Sequence, residues 1–234
     1  MCGRFVATAT PSQLADYLHA EEIRTEALEP SWNVAPTDAV YAVAQNSPEP
    51  GVAAKRILGS YQWGLVPFWA KDVKVGARMI NARAETLESK FKRTFERRRC
   101  LLPADGFYEW EKLDNGKKQP WFIHRSDGAP MVFAGLWEIW KPKDAPDDAE
   151  PLRTCSIITT DANDLLAPIH DRMPVVLNPQ DWDEWLDRSI TDTSSLQRLL
   201  VPADDRALER FAVSTEVNSV RNNHGDLVRP INPR

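Results

Sequence analysis

Cys2 sits directly behind the initiator methionine, in the run Met1-Cys2-Gly3-Arg4-Phe5. Initiator removal is expected where the second residue is small, and it leaves an α-amine and a thiol on adjacent carbons. The amine titrates near ~7.7–8.0 and the thiol near ~8.5, so each keeps a usable unprotonated fraction at neutral pH. Such a pair can condense with an aldehyde and close to a five-membered thiazolidine, or the thiol can attack an acyl carbon with the amine as its base. The plainer reading, a small residue ahead of a buried strand, is enough to explain Cys2 taken alone.

Two further residues have types and settings that suit proton transfer. Glu109, in Gly106-Phe107-Tyr108-Glu109-Trp110, would face away from its two aromatic neighbours in a strand, which puts it on a wet face or in a pocket. His170 lies in the polar elbow of Pro168-Ile169-His170-Asp171-Arg172-Met173-Pro174, between proline-bounded apolar segments. A lone histidine is commonly a structural hydrogen bonder. This elbow makes a catalytic role a better candidate here than elsewhere.

The elements that must position these groups are legible in part. Thr10-Pro11 starts a helix with Leu14, Tyr17 and Leu18 on one face, ending near Glu22. Ser31 to Thr37 is expected as a loop entering a strand at Val40 to Ala44, and Gln45 to Gly51 as a turn-rich connector. Ser60 to Trp69 gives a strand running into an aromatic, proline-stiffened loop, where plain core packing is the simple account of Phe68 and Trp69. Met79 to Glu85 introduces a helix carrying Leu87, Phe91 and Phe95 at four-residue spacing. A strand at Cys100 breaks at Pro103 and resumes through Gly106. Asp114-Asn115-Gly116 is a hairpin turn pairing that strand with Gln119 to His124, and Asp127-Gly128 is a second turn leading to Met131 to Trp140. Consecutive hairpins imply a largely antiparallel sheet. Lys141 to Pro151 is a loop, Thr154 to Thr160 a buried strand, Ala162 to Leu166 a short helix and Val175 to Leu177 a strand. Helices at Trp182 to Leu186 and Ser194 to Val201, and a last strand near Phe211 to Ser214, close the chain.

The bulk numbers set bounds. A chain of 234 residues with 42% hydrophobic and 27% charged residues can bury one core, and a single domain over 1–234 is expected. No apolar run is long enough for a bilayer, and Pro11, Gln13 and Asp16 interrupt any signal-peptide core, so the cytosol or nucleoid is the expected place. Three cysteines, Cys2, Cys100 and Cys155, cannot all pair and lack metal-ligand spacing; with four histidines, neither a metal nor a cofactor is expected. A net charge of −5 argues against coating nucleic acid by bulk electrostatics, but not against a local basic groove.

Six runs in this order, Met-Cys-Gly-Arg-Phe, Trp-Asn-Val-Ala-Pro, Trp-Gly-Leu-Val-Pro, Ile-Asn-Ala-Arg-Ala-Glu, Gly-Phe-Tyr-Glu-Trp and Ile-His-Asp-Arg-Met-Pro, closely resemble the SRAP family, the SOS response-associated peptidases, from Cys2 to about Asn223. The resemblance implies an α+β fold of mainly antiparallel sheets curled into a pseudo-barrel with flanking helices. It implies binding to single-stranded DNA, including single-strand/double-strand junctions, and capture of the ring-opened abasic-site aldehyde as a thiazolidine on Cys2. Carried over by motif, Asn81 holds the N-terminus, Glu109 shuttles protons and helps remove Met1, and His170 opens the sugar ring. Arg4, Arg83 and Arg172 become phosphate contacts, with Thr159 a weaker one, and Pro36, Phe68 and Trp69 wedge against bases beside the gap. A monomer is expected.

Two other classes compete. Glutamine amidotransferases also open Met-Cys-Gly and use that cysteine on an amide, but continue with aliphatic residues and glycine where Arg4-Phe5 stand here. A non-covalent reader of modified bases, built on the nine tryptophans, would leave no covalent product.

Overall fold

A computed structural model describes residues 2–46 and 54–232. The strands, in chain order, are β1 (Phe5–Ala7), β2 (Glu22–Arg24), β3 (Ser31–Val34), β4 (Ala39–Gln45), β5 (Arg56–Trp63), β6 (Asn81–Arg83), β7 (Arg99–Ala104), β8 (Gly106–Lys112), β9 (Lys118–Arg125), β10 (Met131–Trp140), β11 (Leu152–Asp161), β12 (Arg172–Pro174) and β13 (Leu208–Ala212). The α-helices are α1 (Pro11–Leu18), α2 (Leu87–Lys90), α3 (Lys92–Arg97) and α4 (Trp182–Leu186).

Strands β5, β4, β7, β10 and β11 pair successively, and a parallel contact of β11 with β5, Thr154 opposite Gln62 and Cys155 opposite Trp63, closes them into a barrel. A second sheet runs β13-β9-β8-β1-β3, antiparallel throughout. Between them lies one core, where Ala42, Leu102, Phe133 and Ile157 of the barrel meet Phe5 and Phe107 of the second sheet. The other side of the barrel strands, with Val43, Leu101 and Ile158, is covered by Leu14 and Leu18 of α1, Phe95 of α3 and Trp182 and Trp185 of α4. The fold is α+β, with largely antiparallel sheets and flanking helices.

Local chemistry explains where elements begin and stop. Helix α1 opens on a capping box, Thr10 N–H donating to Gln13 Oε1 at 2.9 Å while Gln13 N–H donates back to Thr10 Oγ1. It ends at Leu18 and not near Glu22, because His19 takes the left-handed conformation at φ 53°. Glu22–Arg24 then becomes an edge strand beside β5. Ser31–Val34, expected as loop, is a strand paired with β1. The expected helix after Met79 is split: Asn81–Arg83 is a strand, and Phe91, at φ −127°, separates α2 from α3.

Pro103 does not break its strand. Strand β4 pairs with β7 only at Cys100 and Leu101, so the missing proline N–H falls beyond that ladder, and the break comes at Asp105. Ala162–Leu166 is a set of turns, since the Asn163 side chain and carbonyl both accept from Leu166 N–H and Pro168 follows. The strand expected at Val175–Leu177 lies at Arg172–Pro174, with Val176 making one bridge to Phe133. Thr193–Leu199 is 3-10 helix, and the last strand ends at Ala212. Most of the connector expected at Gln45 to Gly51 lies outside the described residues. No helix among the described residues is long and apolar enough to cross a membrane.

Candidate active site

Strand β1 is an inner strand of the second sheet, with β3 on one side and β8 on the other, and the chain just before it runs into the core. Cys2 is 0% exposed and packs in the core between sheet and barrel. The antiparallel register that sets Phe5 opposite Phe107 brings Glu109 level with the start of the chain. Alternation then puts Glu109 on the same side of β8 as buried Phe107, away from Tyr108 and Trp110, and leaves it 3% exposed. Of the two settings the strand pattern allowed, this burial excludes the wet face.

The barrel supplies the next group. Trp63 Nε1–H and Ile157 N–H both donate to the carbonyl of Ile80, at 2.9 and 3.0 Å, and pin the start of β6 alongside β11. Asn81, opposite Ile157 in that pairing, reaches across and donates from Nδ2 to the Cys2 carbonyl at 2.8 Å. His170 comes from the turn between β11 and β12, which is closed by His170 N–H donating to Leu166 O and Ala162 N–H to Asp171 O. Its Nδ1 accepts from Arg172 N–H at 3.0 Å and lies 2.8 Å from Asp171 Oδ1. A neutral ring accepting at Nδ1 carries its proton on Nε2; an imidazolium can turn Nδ1–H to Asp171.

Electrostatics ties these groups together. Burial, and after it the Glu109 carboxylate, pushes the Cys2 thiol well up, so it rests as a thiol. Burial likewise raises the Glu109 carboxyl, while the nearby His170 opposes the shift. A carboxyl poised above its usual range, beside a thiol and an imidazole, is suited to passing protons in both directions.

The residues expected to meet DNA fall into three settings. Phe68 and Trp69 are exposed, 54% and 63%, on the loop after β5, and the Arg93 guanidinium lies 4.7 Å from the Phe68 ring centre. Leu65 N–H donates to Met79 O at 3.1 Å, which ties that loop to the approach to Asn81. Arg83 is exposed on β6, opposite Thr159, and Pro36 is half-buried beside Thr37, whose φ is 79°. Arg4 and Arg172, by contrast, are engaged within the protein. Arg4 Nη1 donates to Asn33 Oδ1 at 2.8 Å and to Val217 O, and the Asn33 amide reaches the carbonyls of Ser219 and Asn222. Arg172 is 8% exposed and bound to Glu85, Asp161 and the Thr159 carbonyl.

Three polar atoms in this region, Asn81 Oδ1, Thr159 Oγ1 and Arg172 Nε, are buried with no hydrogen-bond partner among the described residues. Buried polar atoms are normally satisfied, so these three are exceptions. Sequence reasoning missed Glu85, Asp161 and Asn33. Glu85 closes the same run as Asn81 and Arg83, which was the available signal. No group of three or more histidine, cysteine, aspartate or glutamate side chains that could hold a metal occurs among the described residues.

A buried cysteine near the chain's start, its carbonyl held by an amide from a closed barrel and its thiol within reach of a carboxyl's charge, is the feature around which this site is arranged. A family model described as SOS response associated peptidase (SRAP) matches residues 1–220, and the chain belongs to that family. Abasic site processing proteins YoqW and YoaM of Bacillus subtilis are each 40% identical to it over 231 residues, covering 97% of this chain and 99% and 97% of their own. The crystal structure of a Bacteroides thetaiotaomicron protein has the same fold, with a TM-score of 0.83 at 23% identity over 98% of this chain and 100% of that one.

Proposed function

We propose that this protein captures abasic sites in single-stranded DNA, and at junctions with single-stranded character, as a covalent thiazolidine on Cys2. Removal of Met1, by the protein itself with help from Glu109 or by an aminopeptidase, frees the α-amine. The amine nitrogen adds to the C1′ aldehyde, and loss of water, drawn out by a proton from Glu109, leaves a Schiff base. The Cys2 sulfur then bonds to that carbon while its proton passes to the nitrogen, closing the ring. Aldehyde and aminothiol give thiazolidine and one water, with no oxidant or cofactor consumed.

The observation that carries this reading is the bond from Asn81 to the Cys2 carbonyl beside a carboxyl whose charge acts on the thiol. An amide donor fixes the residue without titrating, while Glu109 supplies the proton traffic. His170 donates to the sugar ring oxygen during opening. A lesion without a base offers nothing for base-edge readout, so binding rests on phosphate contacts and stacking. Arg83, exposed on β6, suits phosphates, with the buried Arg172 and Thr159 behind it; Pro36, Phe68 and Trp69 suit the flanking bases. Arg4, bonded to Asn33 and Val217, would share its guanidinium with a phosphate or serve by fixing β1. That the two relatives at 40% identity are named abasic site processing proteins supports the same substrate.

The test is intact-mass analysis of the protein before and after incubation with an abasic single-stranded oligonucleotide. The expected product is the sum of the two less one water, stable on a denaturing gel and absent with Cys2→Ala. Binding without a covalent product would favour the non-covalent reader instead.

A further inference from the structure

Arg172 is bracketed by two carboxylates from separate parts of the chain. Glu85 takes its guanidinium in a fork, Nη1 donating to Oε1 at 2.8 Å and Nη2 to Oε2 at 3.0 Å. Nη1 also donates to Asp161 Oδ1 at 2.6 Å, and Nη2 to the Thr159 carbonyl at 2.7 Å. An arginine has five N–H donors in a rigid plane, so this arrangement commits four and leaves only Nε–H, which is buried and has no hydrogen-bond partner among the described residues. The Arg172 main chain does a second job, since its N–H donates to His170 Nδ1 at 3.0 Å. A planar fork gripped at both ends cannot rotate without breaking charged hydrogen bonds, and these are the stronger kind. Holding the guanidinium therefore also steadies the strand start that orients the imidazole.

We propose that Glu85 is a positioning residue: its fork on Arg172 fixes the start of β12 and, through it, the elbow that carries His170, setting the imidazole for opening the sugar. The assignment rests on the reading given under Proposed function. The step it serves is the one before Cys2 reacts. The neutral ring accepts from Arg172 N–H at Nδ1; once protonated there it turns Nδ1–H to Asp171 Oδ1, and this imidazolium gives its Nε2 proton to the ring oxygen as the C1′–O4′ bond breaks, while the C1′ hydroxyl proton leaves to water, yielding the aldehyde and a free C4′ hydroxyl. The ring is left neutral with its proton on Nδ1, where Asp171 Oδ1 stands at 2.8 Å. Glu85 is itself half-exposed, yet the hydrogen bond from Arg172 holds its carboxyl below the usual range, so the fork persists through neutral pH.

Glu85→Gln keeps the size and removes the charge and one acceptor. The experiment compares two aldehydes on protein that begins at Cys2. Abasic single-stranded DNA needs ring opening; formaldehyde does not, and reports on the amine and thiol alone. At saturating DNA, Glu85→Gln is expected to slow cross-linking about tenfold or more, part of what a proton-transfer group supplies. Formaldehyde adduct formation at Cys2, followed by intact mass, is expected to match wild type. An unchanged cross-linking rate, or an equal slowing of both reactions, overturns the proposal. Failure of the underlying reading looks different: the wild-type protein itself would form no adduct with abasic DNA.

Discussion

The Asn81 amide and the Cys2 carbonyl, 79 positions apart, are joined by a 2.8 Å hydrogen bond that links the barrel to the start of the chain. The donor is uncharged and its own strand is fixed by two bonds to Ile80 O. Removing it should misplace the reacting atoms more than it weakens the fold. Asn81→Ala is expected to slow adduct formation about 10²-fold, the cost of roughly an ångström of misplacement. Its melting temperature should fall only slightly, since one such bond contributes about 0.5–1.5 kcal/mol. Single-turnover rates and thermal melts measure the two separately.

Cys2→Ala and Cys2→Ser divide the chemistry. Alanine leaves the amine but no sulfur, so no stable ring forms, and reversible DNA binding should persist because the thiol is buried and touches no outer surface. Serine keeps a hydroxyl too weakly nucleophilic to hold the ring closed. Both variants should still yield an amine-linked product when borohydride is present, seen by intact mass. A stable adduct on Cys2→Ala without reductant would point to a different nucleophile.

Glu109 couples function to stability with a defined sign. Burial raises its carboxyl pKa in the folded state, so folding favours the protonated form. That contribution is fully present below the ordinary carboxylate value of about 4.3 and is lost as pH rises through the higher folded one. Glu109→Gln stays neutral at every pH. It is therefore expected to melt above wild type at pH 7, with the gap closing towards pH 4, each kcal/mol appearing as about 2–4 °C. Adduct formation should fall by about 10²–10⁴. A variant that melts below wild type equally at both pH values would contradict the assigned sign.

What the sequence disclosed follows the range of the interactions. Asp114-Asn115-Gly116 specifies its own hairpin: Gly116 takes φ 77°, and β8 pairs with β9 from Lys112–Lys118 to Phe107–Ile123 where a pairing with Gln119 to His124 is expected. Thr10 and Gln13 specify a helix start within four residues. The helix end did not show, because a left-handed histidine carries no composition signal where glycine would. Barrel closure by β5 and β11 and the Glu85–Arg172 fork join residues about 90 positions apart, with nothing local to announce them. Glu109 was legible as in a pocket or on a wet face, and only the neighbouring strands decided between these. Asn33 was passed over as loop, though it is 3% exposed and bonds to Arg4.

Trp69 is the side chain whose loss should affect DNA binding most and folding least. It is 63% exposed, so Trp69→Ala should leave stability within about 0.5 kcal/mol of wild type. Stacking on a base contributes about 1–3 kcal/mol, which Trp69→Ala should remove from binding to an unreactive abasic analogue. Phe68→Ala should do less harm at high salt than at low, because Arg93, stacked on Phe68, would lose its seat as well. Fluorescence anisotropy across a salt series reads both effects.

Gly64 tests whether barrel closure sets the geometry around Asn81. It sits at φ 130°, its N–H donates to Cys155 O at 2.8 Å, and a Cβ there would lie 2.6 Å from the Gly76 carbonyl oxygen. Both the conformation and the backbone contact exclude a side chain, and the displaced segment, Gly76 to Met79, leads directly into Asn81. Gly64→Ala should therefore cost about 1–3 kcal/mol or more and slow adduct formation as well. Gly116→Ala is the matched control: its φ is also positive, but a Cβ there meets nothing within 4 Å, and the hairpin tip is exposed. It should lose a similar or smaller amount of stability with no change in rate. Equal rates for the two variants would separate barrel closure from the placement of Asn81.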